Sequence, residues 1–184
     1  MTEHPDVNAR INTLLDRLSR IIASDGWDGD LNPAQTAALS YLARANRFSR
    51  SPSIVAEYLG ATRGTVSQTL KALHRKGLIE ESPNPTDKRS ISYAVTQPGE
   101  DLVRRRGQLD GVLDTLPEPD RTALEVRLRQ VVKAALTQRE MKPFGECKTC
   151  RHHLANGDTL HCSLLDLPLG PEEADQICFE QTHR

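Results

Sequence analysis

Val55-Ala-Glu-Tyr-Leu-Gly60-Ala-Thr-Arg-Gly-Thr65-Val-Ser-Gln-Thr-Leu70-Lys-Ala-Leu-His-Arg75-Lys-Gly-Leu-Ile-Glu-Glu81 is the stretch that decides the fold. Ile54, Val55, Tyr58 and Leu59 share one helical face, and Gly60 stops that helix. Thr62 can cap a second helix, Thr62–Lys76, whose buried stripe is Val66, Leu70 and Leu73. Two short helices joined by a Gly60-Ala61 turn form a helix-turn-helix. The apolar period then falls to two. Leu78–Glu81 reads as a strand, and so does Ile91–Val95, where Ile91, Tyr93 and Val95 alternate with Ser92 and Ala94. Ser82–Arg89 between them is a polar loop with two prolines. A hairpin placed there makes a winged helix-turn-helix, the arrangement in which the second helix enters the DNA major groove.

Upstream, Val7, Ile11, Leu14, Leu15, Leu18, Ile21 and Ile22 recur at helical spacing and predict a long amphipathic helix ending near Gly26. Asn32-Pro33 and Ser51-Pro52 each combine an N-cap with a proline at the first helical position. The first of these helices turns Ala38, Leu39 and Leu42 inward. Downstream, helical pattern runs from about Pro98 to Leu116, is broken at Pro117 and Pro119, and resumes with Leu124, Leu128, Val131, Val132, Ala135 and Leu136 inward. Met141–Phe144 reads as a linker. The first helix and the last carry more apolar residues than a small winged core can cover, which a two-fold dimer would bury. The expected organisation is a dimerisation helix over 1–30, a winged DNA-binding domain over 31–97, dimerisation helices over 98–140 and a cysteine-rich segment over 141–184. The fold class is therefore mainly α with a small β-hairpin wing.

The outer face of the second helix carries Arg63, Thr65, Ser67, Gln68 and Lys71. Arginine can read guanine and glutamine can read adenine through paired hydrogen bonds, while hydroxyls and lysine reach phosphates. The charge agrees. Residues 42–93 hold nine Lys/Arg against four Asp/Glu, a local +5 in a chain whose net charge is −1. His74, Arg75 and Lys76 either extend that patch or simply offset the helix dipole at its C-terminal end.

These stretches, followed by Pro85-Thr-Asp87-Lys88-Arg89-Ser90, resemble the MarR family of bacterial transcriptional regulators over about Pro5 to Gln138. The resemblance implies a homodimer on double-stranded DNA, its two winged domains facing one palindromic site. It implies that Arg89 enters the minor groove, that Asp87 helps hold it and that Lys88 stands beside them. Members often take small phenolic effectors, but no residue here identifies one. Two features depart from the pattern: Lys88 stands where arginine is frequent, and Pro98 interrupts Val95-Thr-Gln-Pro-Gly99, where a Leu-Thr-x-x-Gly pattern is usual.

The chain's four cysteines all fall in Cys147-x2-Cys150-x11-Cys162-x15-Cys178. The N-terminus lacks the basic start and apolar core of a signal peptide, so a cytoplasmic protein is expected. Reducing cytosol argues against disulfides. Four thiolates suit tetrahedral zinc or an iron–sulfur cluster. A zinc ribbon usually has two Cys-x-x-Cys knuckles and this chain has one, which tilts the reading towards iron–sulfur. His152, His153 and His161 keep a zinc site with three thiolates and one histidine open, and a redox pair at Cys147 and Cys150 is a further option. Leu160, Leu164, Leu165, Ile177 and Phe179 could wrap the site. The segment is acidic, with seven Asp/Glu against four Lys/Arg, so it is not expected to bind DNA itself. Its position after the last helix would let its metal or redox state alter the spacing of the winged domains.

No run of about 18 apolar residues is present. Neither Gly-x-Ser-x-Gly nor His-Glu-x-x-His occurs, so no enzyme is expected. The competing reading is a winged protein-interaction module with a structural zinc clip and no DNA.

Overall fold

A computed structural model of the chain describes residues 6–25, 31–84, 90–105, 108–157 and 159–182. The winged head begins at α2 (Pro33–Arg44). Asn32 caps it with a capping box: its side chain accepts from the Gln35 backbone at 2.9 Å, and Gln35 returns a bond to the Asn32 N–H. After a turn over 45–51, α3 (Pro52–Leu59) ends on Gly60, whose φ of +61° is the left-handed cap that a glycine adopts at little cost. Thr62 then caps α4 (Arg63–Arg75) by accepting from Thr65 N–H at 3.2 Å.

The three helices close one core around Leu39, Tyr41, Leu42, Val55, Val66, Leu70 and Leu73, with Ile79 and Tyr93 added from the hairpin. That hairpin pairs β1 (Ile79–Pro83) antiparallel with β2 (Ile91–Val95), from Ile79↔Val95 to Pro83↔Ile91. The fold is mainly helical with a small β wing, as the patterning predicts.

Two details of the wing differ from the sequence reading. Ser82 and Pro83 belong to the strand, so the loop starts two residues later; a proline is tolerated at the end of a two-stranded ribbon, where one side of each strand has no partner. The alternation also fails at the tip. Ile91 is exposed whereas Ser92 is buried.

Around the head lie α1 (Val7–Asp25), α5 (Gln97–Arg105), α6 (Gln108–Leu113) and α7 (Glu118–Gln138). The sequence turns Leu124, Leu128, Val131 and Val132 inward, but α7 buries nothing within this chain. The apolar residues of α1 are likewise 38–66% exposed. Amphipathic spacing sets a face, but not what covers it. Among the described residues no helix is long and apolar enough to cross a membrane.

The C-terminal module holds two small antiparallel sheets. One pairs β3 (Gly145–Glu146) with β7 (Ile177–Cys178); the other is β4 (His153–Asn156), β5 (Thr159–Cys162) and β6 (Leu167–Leu169). Met141–Phe144 is more than a linker: Phe144 meets Tyr58 edge-on at 5.2 Å and Tyr41 at 6.3 Å. Ile177 also packs on the head's core rather than around the cysteines, and Leu164 is exposed.

Candidate nucleic-acid interface

The buried stripe Val66, Leu70 and Leu73 seats α4 on the core and turns the opposite face outward. Arg63, Thr65, Gln68 and Lys71 are exposed there, and Ser67 is half-buried at the edge. Thr65 is partly engaged by the cap, its hydroxyl 2.9 Å from that of Thr62. His74 is held in the framework: its Nδ1 lies 3.0 Å from the Ile79 carbonyl and ties the end of α4 to β1. Arg75 and Lys76 are exposed beside it. Asp87, Lys88 and Arg89 lie outside the described residues.

The cysteine module brings its four thiols together. Cys147 and Cys150 flank a 3-10 turn, Cys150 N–H donating to the Cys147 carbonyl at 2.9 Å. Cys162 ends β5 opposite His153, and Cys178 on β7 faces Gly145. All four are buried. Burial first, then the neighbouring Cys178, Cys162 and Cys150 and the Glu173 carboxylate, push the Cys147 thiol up to about 12. Burial also raises the Cys178 thiol, against the pull of the Glu180 backbone N–H and the Asn46 amide. Yet among the described residues no group of three or more His, Cys, Asp or Glu side chains stands arranged as a metal shell. Cys147, Cys162 and Cys178 share one apolar cluster, which does not include Cys150. His153 is buried with Nδ1 3.5 Å from Cys147 Sγ, whereas His152 and His161 face Ser163 and Asp166.

Residues 29–90 match the model of the MarR family. This segment is similar to the winged domain of that family. The fold around it is similar to that of Escherichia coli MarR in its apo form, at 23% identity and a TM-score of 0.53, covering 70% of this chain and 98% of that one. It is similar to Staphylococcus aureus MepR in a DNA complex, at 19% identity and 0.53, covering 72% and 99%. It is also similar to Streptococcus pneumoniae FabT in complex with DNA, at 18% and 0.55, covering 72% and 96%. No curated protein sequence matches. More than a quarter of this chain therefore has no counterpart in solved chains that are themselves covered almost whole.

What sequence reasoning missed is where the cysteine module docks on the winged domain. It grips the turn over 45–51. Phe48 is buried among Cys147, Cys162, Cys178 and Leu169. Asn46 N–H donates to the Ile177 carbonyl at 2.9 Å, and Phe179 N–H donates to Ser49 Oγ at 3.0 Å. Arg47 donates to the Pro168 carbonyl at 2.6 Å and pairs with the buried Glu173 at 3.3 Å. One signal was available: an aromatic residue in a polar turn has to be covered by something.

Proposed function

We propose that this chain is a transcriptional regulator that binds double-stranded DNA as a homodimer on a palindromic operator, its affinity conditioned by the metal or redox state of Cys147, Cys150, Cys162 and Cys178. The observation that carries the reading is α4, anchored by its apolar stripe and presenting Arg63, Thr65, Gln68 and Lys71 beside the hairpin. These side chains suit base edges and phosphates in the major groove, and the α4 N-terminus favours a phosphate. Arg89 is assigned to the minor groove with Asp87 and Lys88 at the wing tip. The exposed apolar faces of α1 and α7 support the homodimer, since an isologous pair would cover both. Such a dimer sets two recognition helices ~34 Å apart, one DNA turn. The buried thiols suit zinc or an iron–sulfur cluster, which would supply the module with a cross-link its small core lacks.

The test is fluorescence anisotropy of the full chain with DNA from the region upstream of its own coding sequence. Affinity is expected to fall steeply with salt, by a logarithmic slope of about −0.9 for each phosphate neutralised. Salt-insensitive or absent binding by a folded dimer would turn the reading to a protein-interaction module.

A further inference from the structure

We propose that the C-terminal module positions the wing of its own subunit. It holds the turn over 45–51 from one side, that turn holds the outer edge of β2 from the other, and Ser49 and Arg50 are the positioning residues between them. The consequence for DNA rests on the DNA-binding reading above.

The wing needs support from outside itself. It is a two-stranded ribbon with five residues in each strand, and a hairpin of that size is marginal in water on its own. β1 pairs with one edge of β2. On the other edge, Tyr93 N–H donates to the Arg50 carbonyl at 3.2 Å. Tyr93 also ties the two strands together, its hydroxyl donating to the Glu81 carboxylate at 3.2 Å. A shift of Arg50 is therefore passed to β2 and from there to β1. Arg50 is itself fixed to the start of the turn, its Nε donating to the Ala45 carbonyl at 2.8 Å.

The same turn is the footing of the module. Ala45 forms a parallel bridge with Ile177, and Asn46 N–H donates to the Ile177 carbonyl at 2.9 Å. Ile177 belongs to β7, which pairs with β3. Backbone hydrogen bonds thus lead from the module's small sheet, through the turn, to the ribbon of the wing. Ser49, 0% exposed, is the joint. Its hydroxyl accepts from Phe179 N–H at 3.0 Å and donates to Asn46 Oδ1 at 2.6 Å. Its carbonyl accepts from the Tyr41 hydroxyl of α2 at 2.8 Å.

This seam opens as a unit. Withdrawing the module uncovers the Phe48 ring and strips partners from Asn46, Arg47 and Ser49 together. A packed, fully bonded contact of this kind is either made or broken, and does not stretch by degrees. The effect falls on one of the two DNA-reading elements. α4 is seated by Val66, Leu70 and Leu73 on the core and by the Thr62 cap, whereas β2 leans on the turn. The module therefore governs the wing, which carries Arg89, more than the helix that carries Arg63.

The experiment loosens the seam of the full chain from both sides. Ser49→Ala removes the hydroxyl shared by Phe179 and Asn46. Glu173→Gln acts from within the module, where the carboxylate pairs with Arg47 at 3.3 Å and accepts from Gly170 N–H at 2.7 Å. In Ser49→Ala, amide hydrogen exchange at Asn46 and Phe179 is expected to quicken about tenfold or more, because buried polar groups lose partners. The Tyr93 amide should follow, while that of Leu70 in α4 keeps its rate. Operator affinity should fall roughly three- to thirtyfold, and less in Glu173→Gln. The decisive arm is a mutant cycle. In an Arg89→Ala background the seam variants should cost less than about twofold further, whereas in an Arg63→Ala background they should cost their full amount. If Ser49→Ala does not fold, Glu173→Gln carries every arm. An unchanged Tyr93 amide beside faster Asn46 and Phe179 amides overturns the proposal, as does an equal loss of affinity in both backgrounds. A chain that binds no DNA sinks the DNA reading, and the Tyr93 amide then decides by itself whether the module holds the wing.

Discussion

The winged head and the cysteine module solve the same problem with different means. The head fills its interior with its own side chains, Tyr41, Leu42, Leu70 and Leu73 among them, all fully buried. The module has too few large apolar residues for that. Its interior is Cys147, Cys162, Cys178, Leu169 and a ring borrowed from the head, Phe48. A core of large side chains is stabilised by its own packing, whereas a core of thiols gains less from packing and stands to gain most from the proposed cross-link. The two regions should therefore respond to quite different perturbations.

The largest effect should come from the head. Leu70→Ala removes a fully buried side chain and should cost about 2–5 kcal/mol, measured by denaturant unfolding. A loss below about 1 kcal/mol would mean the head is less closely packed than its geometry shows. Metal removal should do the reverse, melting the module while the head keeps its unfolding transition. A single transition that shifts as one would erase the contrast between the two regions.

Arg63→Ala should weaken DNA binding by about 1–3 kcal/mol with helix content unchanged. An affinity matching wild type would remove Arg63 from the interface. Asn32→Ala deletes the capping box of α2 and should cost the head about 1 kcal/mol. The smallest change is expected at the seam. Arg47→Ala breaks an ion pair that is buried on the Glu173 side but 44% exposed on the arginine side, worth about 0.5–1 kcal/mol. That loss should appear as easier detachment of the module, read by limited proteolysis, without a shift in the head's midpoint.

The ends of elements were legible because their signals are local. Asn32 and Thr62 cap the helices they precede, and Gly60 and Gly77 sit at φ of +61° and +69° where their helices stop. The stripe on α4 was legible for the same reason, and with it the outward face. The direction of α7 was not: its spacing marks an apolar side, but no partner within the chain covers it. The docking of the module was not legible either. Phe48 and Cys162 are more than a hundred residues apart, and no periodicity links them. All three phenylalanines of the chain, Phe48, Phe144 and Phe179, contribute to packing at or beside the junction of head and module, a pattern that emerges only once the chain is folded.

By itself, then, the amino-acid sequence determined the helix-turn-helix, its wing, the exposed reading face and the grouping of four thiols, because capping, period and spacing act over a few residues. Tertiary structure decided that Cys147, Cys162 and Cys178 pack with Phe48 of the turn over 45–51 and that Asn46 N–H bonds the Ile177 carbonyl. Such contacts depend on where remote segments come to rest, and that is set by the packing of the whole chain.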